Sequence, residues 1–454
     1  MSHFQNQDFE VSNEFLEVQK KVDASTKRNY RRVSIGFLIL FIYCFVTSYQ
    51  FGLFDIGSRW FSDRVSLMLL DTYANKDHII MRWDNTSKIS VRFEGSKKMT
   101  YDPQPDFLIY NNDGNFNTMV FTSGRKVNFY KNFIELEGYS DVIGKLRLGI
   151  NSYGKPAILS DQKEIPKWIR VTENKIEVRP NLFERIQIYK SKVVVHRYQV
   201  GWRYFFFDFD SLLRDLSFND IVKISFSSDR ITPELGNNYF ILQEFLNNSI
   251  WFHGPVFFAL LETIMMALIG TLIASIIGLF LSFLAASNIN PFKIIRIIVK
   301  RFFDFLRAVD TLIWSLLLLR AFGPGLFTGI FAIALTEIGT LGKLMSEAIE
   351  NTDPNQQEGV ASTGASTLQK QRYGILPQIM PVFISQTLYT LESNTRSAII
   401  IGAMGSGGIG MLFLSYMRTG VDFENVAYVA ALVLITVMLM DLFSSWLRNF
   451  IINS

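Results

Sequence analysis

Seven ionisable residues fall in or beside strongly apolar stretches of this 454-residue chain: Glu262, Asp310, Arg320, Glu337, Glu392, Arg396 and Asp441. A charge in hydrocarbon is costly, so such groups mark internal pairs or a polar path. Glu392 and Arg396 are four residues apart and can pair on one helical face. Equally, Arg396 or Arg320 offers the planar fork of donors that suits a passing oxyanion. Residues 405–410, Gly-Ser-Gly-Gly-Ile-Gly, match G-x-G-x-x-G. A dinucleotide site would need a strand before that run and a helix opening on a phosphate after it, and the run lies instead between apolar segments. Gly405, Gly407, Gly408 and Gly410 therefore read as a gate or re-entrant bend beside a translocation path, the alternative being a flexible turn outside the membrane. No G-x-x-x-x-G-K-[ST] and no H-E-x-x-H occurs, so the chain carries no P-loop and no catalytic constellation. The lone Cys44 allows no intrachain disulfide and no cysteine zinc site, and His78 and His196 stand apart from any metal-ligand spacing.

The elements that position these groups are set by composition. Mean hydropathy is +0.19 and net charge +4, but the average hides a polar middle and a very apolar C-terminal part. The basic residues are spread out, and the charge does not point to a nucleic-acid partner. Residues 1–32 are polar and end in Lys27, Arg28, Arg31 and Arg32, and 33–51 is long enough to span a bilayer. No small-residue cleavage site follows, so it reads as an uncleaved span entered from the cytoplasm. Residues 52–250 alternate polar and apolar in short runs such as 89–93, 119–121, 126–130 and 176–178, with a long β-branched and aromatic run at 193–207. They read as a β-rich domain, a sandwich in outline, ending in a short helical link near 239–245.

Residues 251–454 read as a membrane domain. Spans are expected at 255–286, 311–322, 326–341, 378–396 and 426–446, six with the first. Gly270, Thr271, Ala274, Ser275 and Gly278 would let the second pack closely against a neighbour. A short loop holding Lys293, Arg296, Lys300, Arg301 and Arg307 is expected on the cytoplasmic side. This puts both termini in the cytoplasm and the β-rich domain outside.

Between the fourth and fifth spans lies a polar stretch, 346–377. Asp353 followed by Pro354 reads as a helix start, with Gln356 placed to close a capping box. Gly364 weakens or bends the helix, and Pro377 marks a further break. Two short helices at the membrane surface are expected.

Glu358, Gly364, Leu376 and Pro377 fall at the spacings of the EAA loop of binding-protein-dependent ABC transporter permeases, and the stretch resembles that loop. Gly359 and Val360 stand where that family has paired alanines, and Gly374 where it has isoleucine, which suggests a more flexible loop. Residues 255–450 resemble phosphonate-type (PhnE-like) permeases more narrowly, through 270–274, 283–288, 307–309, 342–344, 346–350, 358–366, 372–378, 396–398 and 405–410. Asp310 departs from that family's usual proline and leaves the start of the third span open.

The resemblance implies an all-α polytopic membrane protein of about six transmembrane helices, of type I ABC importer permease fold, with an inserted β-rich extracytoplasmic domain. It implies a bacterial inner membrane location and a complex of two permease copies, a dimer of separate ABC ATPase subunits carrying ATP and magnesium, an extracytoplasmic solute-binding protein and surrounding lipid. This chain itself would bind no cofactor. The ATPase would engage Glu358, Gly359, Ala361, Gly364, Ala365, Leu376 and Pro377. The solute would be phosphonate or a related phosphorus oxyanion. Alternatives are an importer of another solute, such as an amino acid or organic anion, and a membrane sensor or scaffold using its outer domain. The β-rich domain would serve as a platform for the binding protein.

Overall fold

The computed structural model describes residues 2–55, 62–93, 106–110, 117–139, 145–160, 165–419 and 423–453. The chain divides into two units, Met1–Leu67 and Met68–Ser454. In the first, helix α1 runs Ser2–Gln50, so the polar segment and the first span are one helix. The candidate membrane span within it, Lys20–Gln50, opens on basic residues and has 31 residues. At 1.5 Å per residue that exceeds the hydrocarbon thickness of about 30 Å.

Helix α2 (Ser62–Tyr73) runs across the boundary between the units and leads into β1 (Ala74–Arg82). Among the described residues twelve strands form two antiparallel sheets. The first has the order β2-β1-β12-β11-β10-β9, with β2 Asn85–Phe93, β9 Ile169–Val171, β10 Lys175–Val178, β11 Glu184–Tyr189 and β12 Lys192–Val200. The second runs β3 to β8 in sequence order, from Leu108–Tyr110 to Pro156–Ile158. Alternation puts Ile79, Met81, Ile176, Ile186, Ile188, Val193 and Val195 on the inner face of the first sheet. They share one core with Met119, Val127, Ile134, Leu136 and Leu148 of the second. This is a sandwich closed by alternating apolar residues. Its first and last strands are neighbours, with Ala74 opposite Val200.

The β structure stops at Val200, short of the expected 250. Gly201 (φ +108°) and Tyr204 (φ +54°) break the extended chain, so the aromatic run to 207 is not a strand. Residues 201–252 instead form a root on the membrane domain, with helices α3 (Phe218–Phe226) and α4 (Asn237–Leu246). Trp202 and Phe205 pack on Trp251 and Tyr428, and the side chain of Asn248 donates to the carbonyl of Tyr204 at 2.8 Å.

The membrane domain comprises α5 (His253–Ala285), α6 (Lys293–Ala308), α7 (Thr311–Phe322), α8 (Leu326–Glu350), α9 (Pro354–Ser362), α10 (Thr367–Lys370), α11 (Leu376–Ile401), α12 (Gly408–Thr419) and α13 (Phe423–Asn453). About six spans were expected in this part of the chain and the first helix together. Among the described residues four helices are long and apolar enough to cross a bilayer, five with the bent pair 367–419 counted as one. Helix α7 has 12 residues and is too short to cross alone, at about 18 Å. Its start is settled by Asp310, whose carboxylate accepts from the Leu312 N–H at 2.8 Å as an N-cap.

The expected basic loop is helix α6. Phe303 and Leu306 are buried, whereas Ile294, Ile298 and Phe305 are exposed, so its apolar residues serve two faces. Two of its charges reach across to a neighbouring helix: Lys300 pairs with Glu350 at 2.8 Å, and Asp304 with Lys343 at 2.7 Å. Both pairs tie α6 to α8. Helices α5 and α8 approach closely where side chains are small. A Cβ on Gly278 would lie 3.2 Å from the backbone nitrogen of Gly342.

Candidate functional site: a polar surface loop and a glycine bend

Helix α9 begins as its sequence dictates. The Asp353 carboxylate accepts from the Asn355 N–H at 3.0 Å, and Pro354 occupies the first turn. Gln356 does not close the capping box. Gln378, from the first turn of α11, supplies the missing acceptor: its Oε1 receives the Asp353 N–H at 2.9 Å. A capping box forms one helix later, between Ser366 and Gln369. Gln357, on the buried face of α9, donates to Thr352 Oγ1 at 2.8 Å.

Gly364 ends α9. Its φ is +82°, and its N–H donates to the Ala361 carbonyl at 3.0 Å, the geometry of a left-handed C-terminal cap. No atom lies within 4 Å of where its Cβ would be, so backbone conformation alone requires glycine there. The bend expected at Gly364 is thus a helix stop.

Helix α10 does not end at a second break. It continues through a π-helical turn, Gln371–Ile375, into α11, with Pro377 in the first turn of α11. Pro377 has no N–H to donate, and the wider π turn before it lets the chain stay helical past the proline. Gly374 is buried, and a Cβ on it would lie 3.4 Å from Gln357 Cα and 3.7 Å from Val360 Cγ2. At the position where the sequence suggests a more flexible loop, α9 packs directly on the π turn.

Glu358, Gly359, Ala361 and Gly364 are exposed, Ala365 and Leu376 half-buried, and Pro377 exposed. Gly359, Val360, Thr363, Gly364, Ala365 and Tyr373 line a groove of ≈ 770 Å³ between α9 and the π turn. Glu358 stands on α9 beside it. This surface has no catalytic group. What it offers is a carboxylate, exposed backbone at two glycines and a concave seat.

The glycine bend is built as tightly. Helix α11 passes into a second π-helical turn, Gly402–Ser406, and α12 leaves it at 60°. Gly405, Gly407 and Gly408 have φ of +120°, +90° and +71°, conformations that side chains resist. Gly410 must also be glycine, because a Cβ there would collide with the Ile399 carbonyl. Helix α5 holds the start of α12. The Gly408 N–H donates to Glu262 Oε2 at 3.0 Å, and the Ile409 N–H to Thr263 Oγ1 at 2.9 Å. A carboxylate suits the positive end of a helix. Ser406 Oγ lies 3.2 Å from Ser315 Oγ and accepts from Thr328 Oγ1 at 3.1 Å, which adds α7 and α8 to the same joint. Sequence reasoning marked Glu262 only as an unexplained charge, because its partner lies 146 residues away.

The structure separates the other candidates. Arg396 pairs with Glu392 at 3.2 Å on its own helix and with Asp441 of α13 at 3.6 Å, so its guanidinium sits between two carboxylates. Arg320 is exposed in the last turn of α7, where a cation complements the helix dipole. Its neighbour Leu319 touches the bend, since a Cβ on Gly405 would meet Leu319 Cδ2 at 3.2 Å. Among the described residues no group of three or more potential metal ligands occurs.

Comparison with known proteins follows the membrane domain. Residues 278–452 match the model of the family described as binding-protein-dependent transport system inner membrane component. A putative phosphite transport system permease protein of Stutzerimonas stutzeri is 35% identical over 193 residues, 42% of this chain and 68% of that protein. A putative cryptic phosphonate transport system permease protein of Escherichia coli is 42% identical over 120 residues, 26% of this chain and 98% of that one. A phosphate-import permease protein of Mycolicibacterium smegmatis is 32% identical over 192 residues, and the match spans only 36% of its length. A solved inward-facing methionine ABC transporter aligns with 43% of this chain and 95% of its own at 20% identity and TM-score 0.39. The sandwich lies outside the family match, which begins within α5. On the strength of these relatives, the chain belongs to the inner membrane components of binding-protein-dependent transport systems and is a permease subunit, not an enzyme.

Proposed function

We infer that this permease carries phosphonate, phosphite or a related phosphorus oxyanion inward, driven by ATP hydrolysis on separate ATPase subunits. The observation that carries the reading is the α9 surface. It combines an exposed Glu358 with a groove and a helix stop at Gly364, in the loop whose spacing matches the ATPase-docking loop of the family. The names of the relatives support the solute class.

In this reading the ATPase seats on Glu358, Gly359, Ala361, Gly364, Ala365, Leu376 and Pro377. Closure of the ATPases moves α9, and the continuous helix from α10 through α11 carries that motion to the glycine bend. Gly405, Gly407, Gly408 and Gly410 then form the gate, with Arg320, next in the chain to Leu319 at the bend, as a cation beside it. Arg396, held by Glu392 and Asp441, fastens α11 to α13 within the wall of the path. The complex has two permease copies and an outer solute-binding protein. The basic residues before the first span support a reading with the N-terminus inside and the sandwich outside.

Solute-stimulated ATP hydrolysis and uptake by the reconstituted complex test the reading. With Glu358→Ala, uptake and stimulated hydrolysis should fall while the membrane domain remains folded. Full stimulation in that variant would remove the docking role. Permeases for methionine are also related, at 25% and 28% identity. Solute binding to the partner protein separates the two substrates.

A further inference from the structure

Helix α3 buries none of its residues. Phe218, Val222 and Phe226 repeat every fourth residue and are 78%, 39% and 87% exposed, so they form one apolar stripe. Asp220 and Lys223 lie on another face, and Ser217 caps the helix start. Beside α3, Phe206, Leu212, Tyr239 and Leu242 are also exposed. So much aromatic surface is unusual for a face that meets water.

Phe206, Leu216, Phe218, Ile221, Leu242 and Phe245 line a groove of ≈ 710 Å³ between α3, α4 and the 202–207 turn, and Arg203 and Arg214 line it too. Its depth relative to the membrane follows from one contact. Phe245 in the groove wall stacks on His253, the first residue of α5, with ring centroids 4.1 Å apart, and lies 6.3 Å from Phe257 one turn further on. The groove therefore begins where the spanning helix begins. Trp202, Trp251 and Tyr428 pack together at the same level, Trp251 and Tyr428 buried and Trp202 partly exposed, so the groove rests on a fixed aromatic base. A short amphipathic helix at that level lies in the interface with its apolar stripe among acyl chains.

We propose that this groove is a phospholipid site for the leaflet on the sandwich side. One acyl chain lies against Phe206, Phe218, Leu242 and Phe245, and the headgroup phosphate meets Arg203 and Arg214. Arg214 already donates to Asp215 at 2.8 Å and to the Phe209 carbonyl at 2.9 Å, which fixes the guanidinium at the groove. Three of its donors are used in these contacts, out of the five a guanidinium carries. The lipid would steady the root that joins the sandwich to α5 and α13.

The test uses the full chain in vesicles of phosphatidylethanolamine and phosphatidylglycerol, with Cys44→Ser and a single spin label at Phe218→Cys. A second label at Tyr153→Cys, 87% exposed on the sandwich, serves as the water reference. Both positions are exposed, so neither change disturbs the core. The label at 218 should be relaxed by oxygen in preference to a water-soluble nickel chelate, and the label at 153 the reverse. Native mass spectrometry of the extracted chain should show a phospholipid adduct that Leu242→Trp, which fills the groove, removes. It should weaken in the Arg203→Gln, Arg214→Gln double variant. Nickel access at 218 equal to that at 153, or an adduct unchanged by Leu242→Trp, overturns the proposal. Shielding of 218 only when a purified solute-binding protein is added overturns it in favour of a protein occupant.

Discussion

Val360 packs over Gly374, with its Cγ2 3.7 Å from the place a Cβ would take on the glycine. Each residue departs from the pattern of the resembling loop, and in opposite senses: Val360 is larger than the usual alanine and Gly374 smaller than the usual isoleucine. The two departures fill one space.

A double-mutant cycle checks this. Gly374→Ile alone should overpack the contact and cost about 1–3 kcal/mol, with loss of coupled ATP hydrolysis. Adding Val360→Ala should recover part of that loss, with an interaction energy of about 0.5–3 kcal/mol. Strictly additive effects on thermal stability would mean the two positions do not share a space.

At Gly364 the requirement is conformational. Gly364→Ala should cost about 1–2 kcal/mol from the left-handed backbone alone, and Gly364→Asn less, since asparagine tolerates that region. Uptake by the reconstituted complex should follow the same order. If alanine and asparagine behave alike, the groove contacts rather than the helix stop set the need for glycine.

The bend gives a graded series. Gly410→Ala places a Cβ against the Ile399 carbonyl and should abolish uptake, with lowered expression of folded chain. Gly407→Ala meets nothing closer than Glu262 Oε2 at 3.8 Å and should cost only the backbone strain of its positive φ. Glu262→Gln keeps an acceptor for the Gly408 N–H and should retain more transport than Glu262→Ala. Uptake kinetics on these variants decide the order.

The sandwich should be acid-sensitive. His196 on β12 stands opposite His78 on β1, ring centroids 4.5 Å apart. Burial pushes the His196 imidazole well below the usual histidine range, and His78, Arg185, Lys76 and Arg179 push the same way. The folded state holds this histidine neutral, while the unfolded chain takes up a proton near pH 6.5. The unfolded state therefore binds more protons below about pH 6.5, and stability is lost as pH falls through that window. Hydrogen exchange at β1 and β12 amides, followed from about pH 7 to about pH 5 and corrected for intrinsic rate, should report weaker protection at the acid end. In His196→Gln that dependence should flatten.

The features legible in the sequence were local. Asp353-Pro354 announces a helix start, the glycines at 405–410 announce a bend, and the alternation around Ile176 announces a strand, because in each case the deciding groups are neighbours in the chain. Helix α6 was hidden by its charges. Lys300 and Asp304 read as loop residues until Glu350 and Lys343, on α8, supply their partners. The ends of the sandwich were hidden by composition, since the aromatic residues after Val200 favour a strand as much as an interface. Gln378 reaching Asp353, and Glu262 reaching Gly408, are tertiary contacts with no periodic trace.

The neighbouring positions of β1 and β12 bear on how such a chain could arise. The Gly201 N–H donates to the Tyr73 carbonyl at 2.8 Å, so residues 74–200 leave and return through a single hydrogen-bonded doorway. An insertion at that point adds the sandwich without breaking a helix, whereas its excision would uncover Leu70, which is buried against Ala74 and Tyr198, and would take Lys76 away from Asp71.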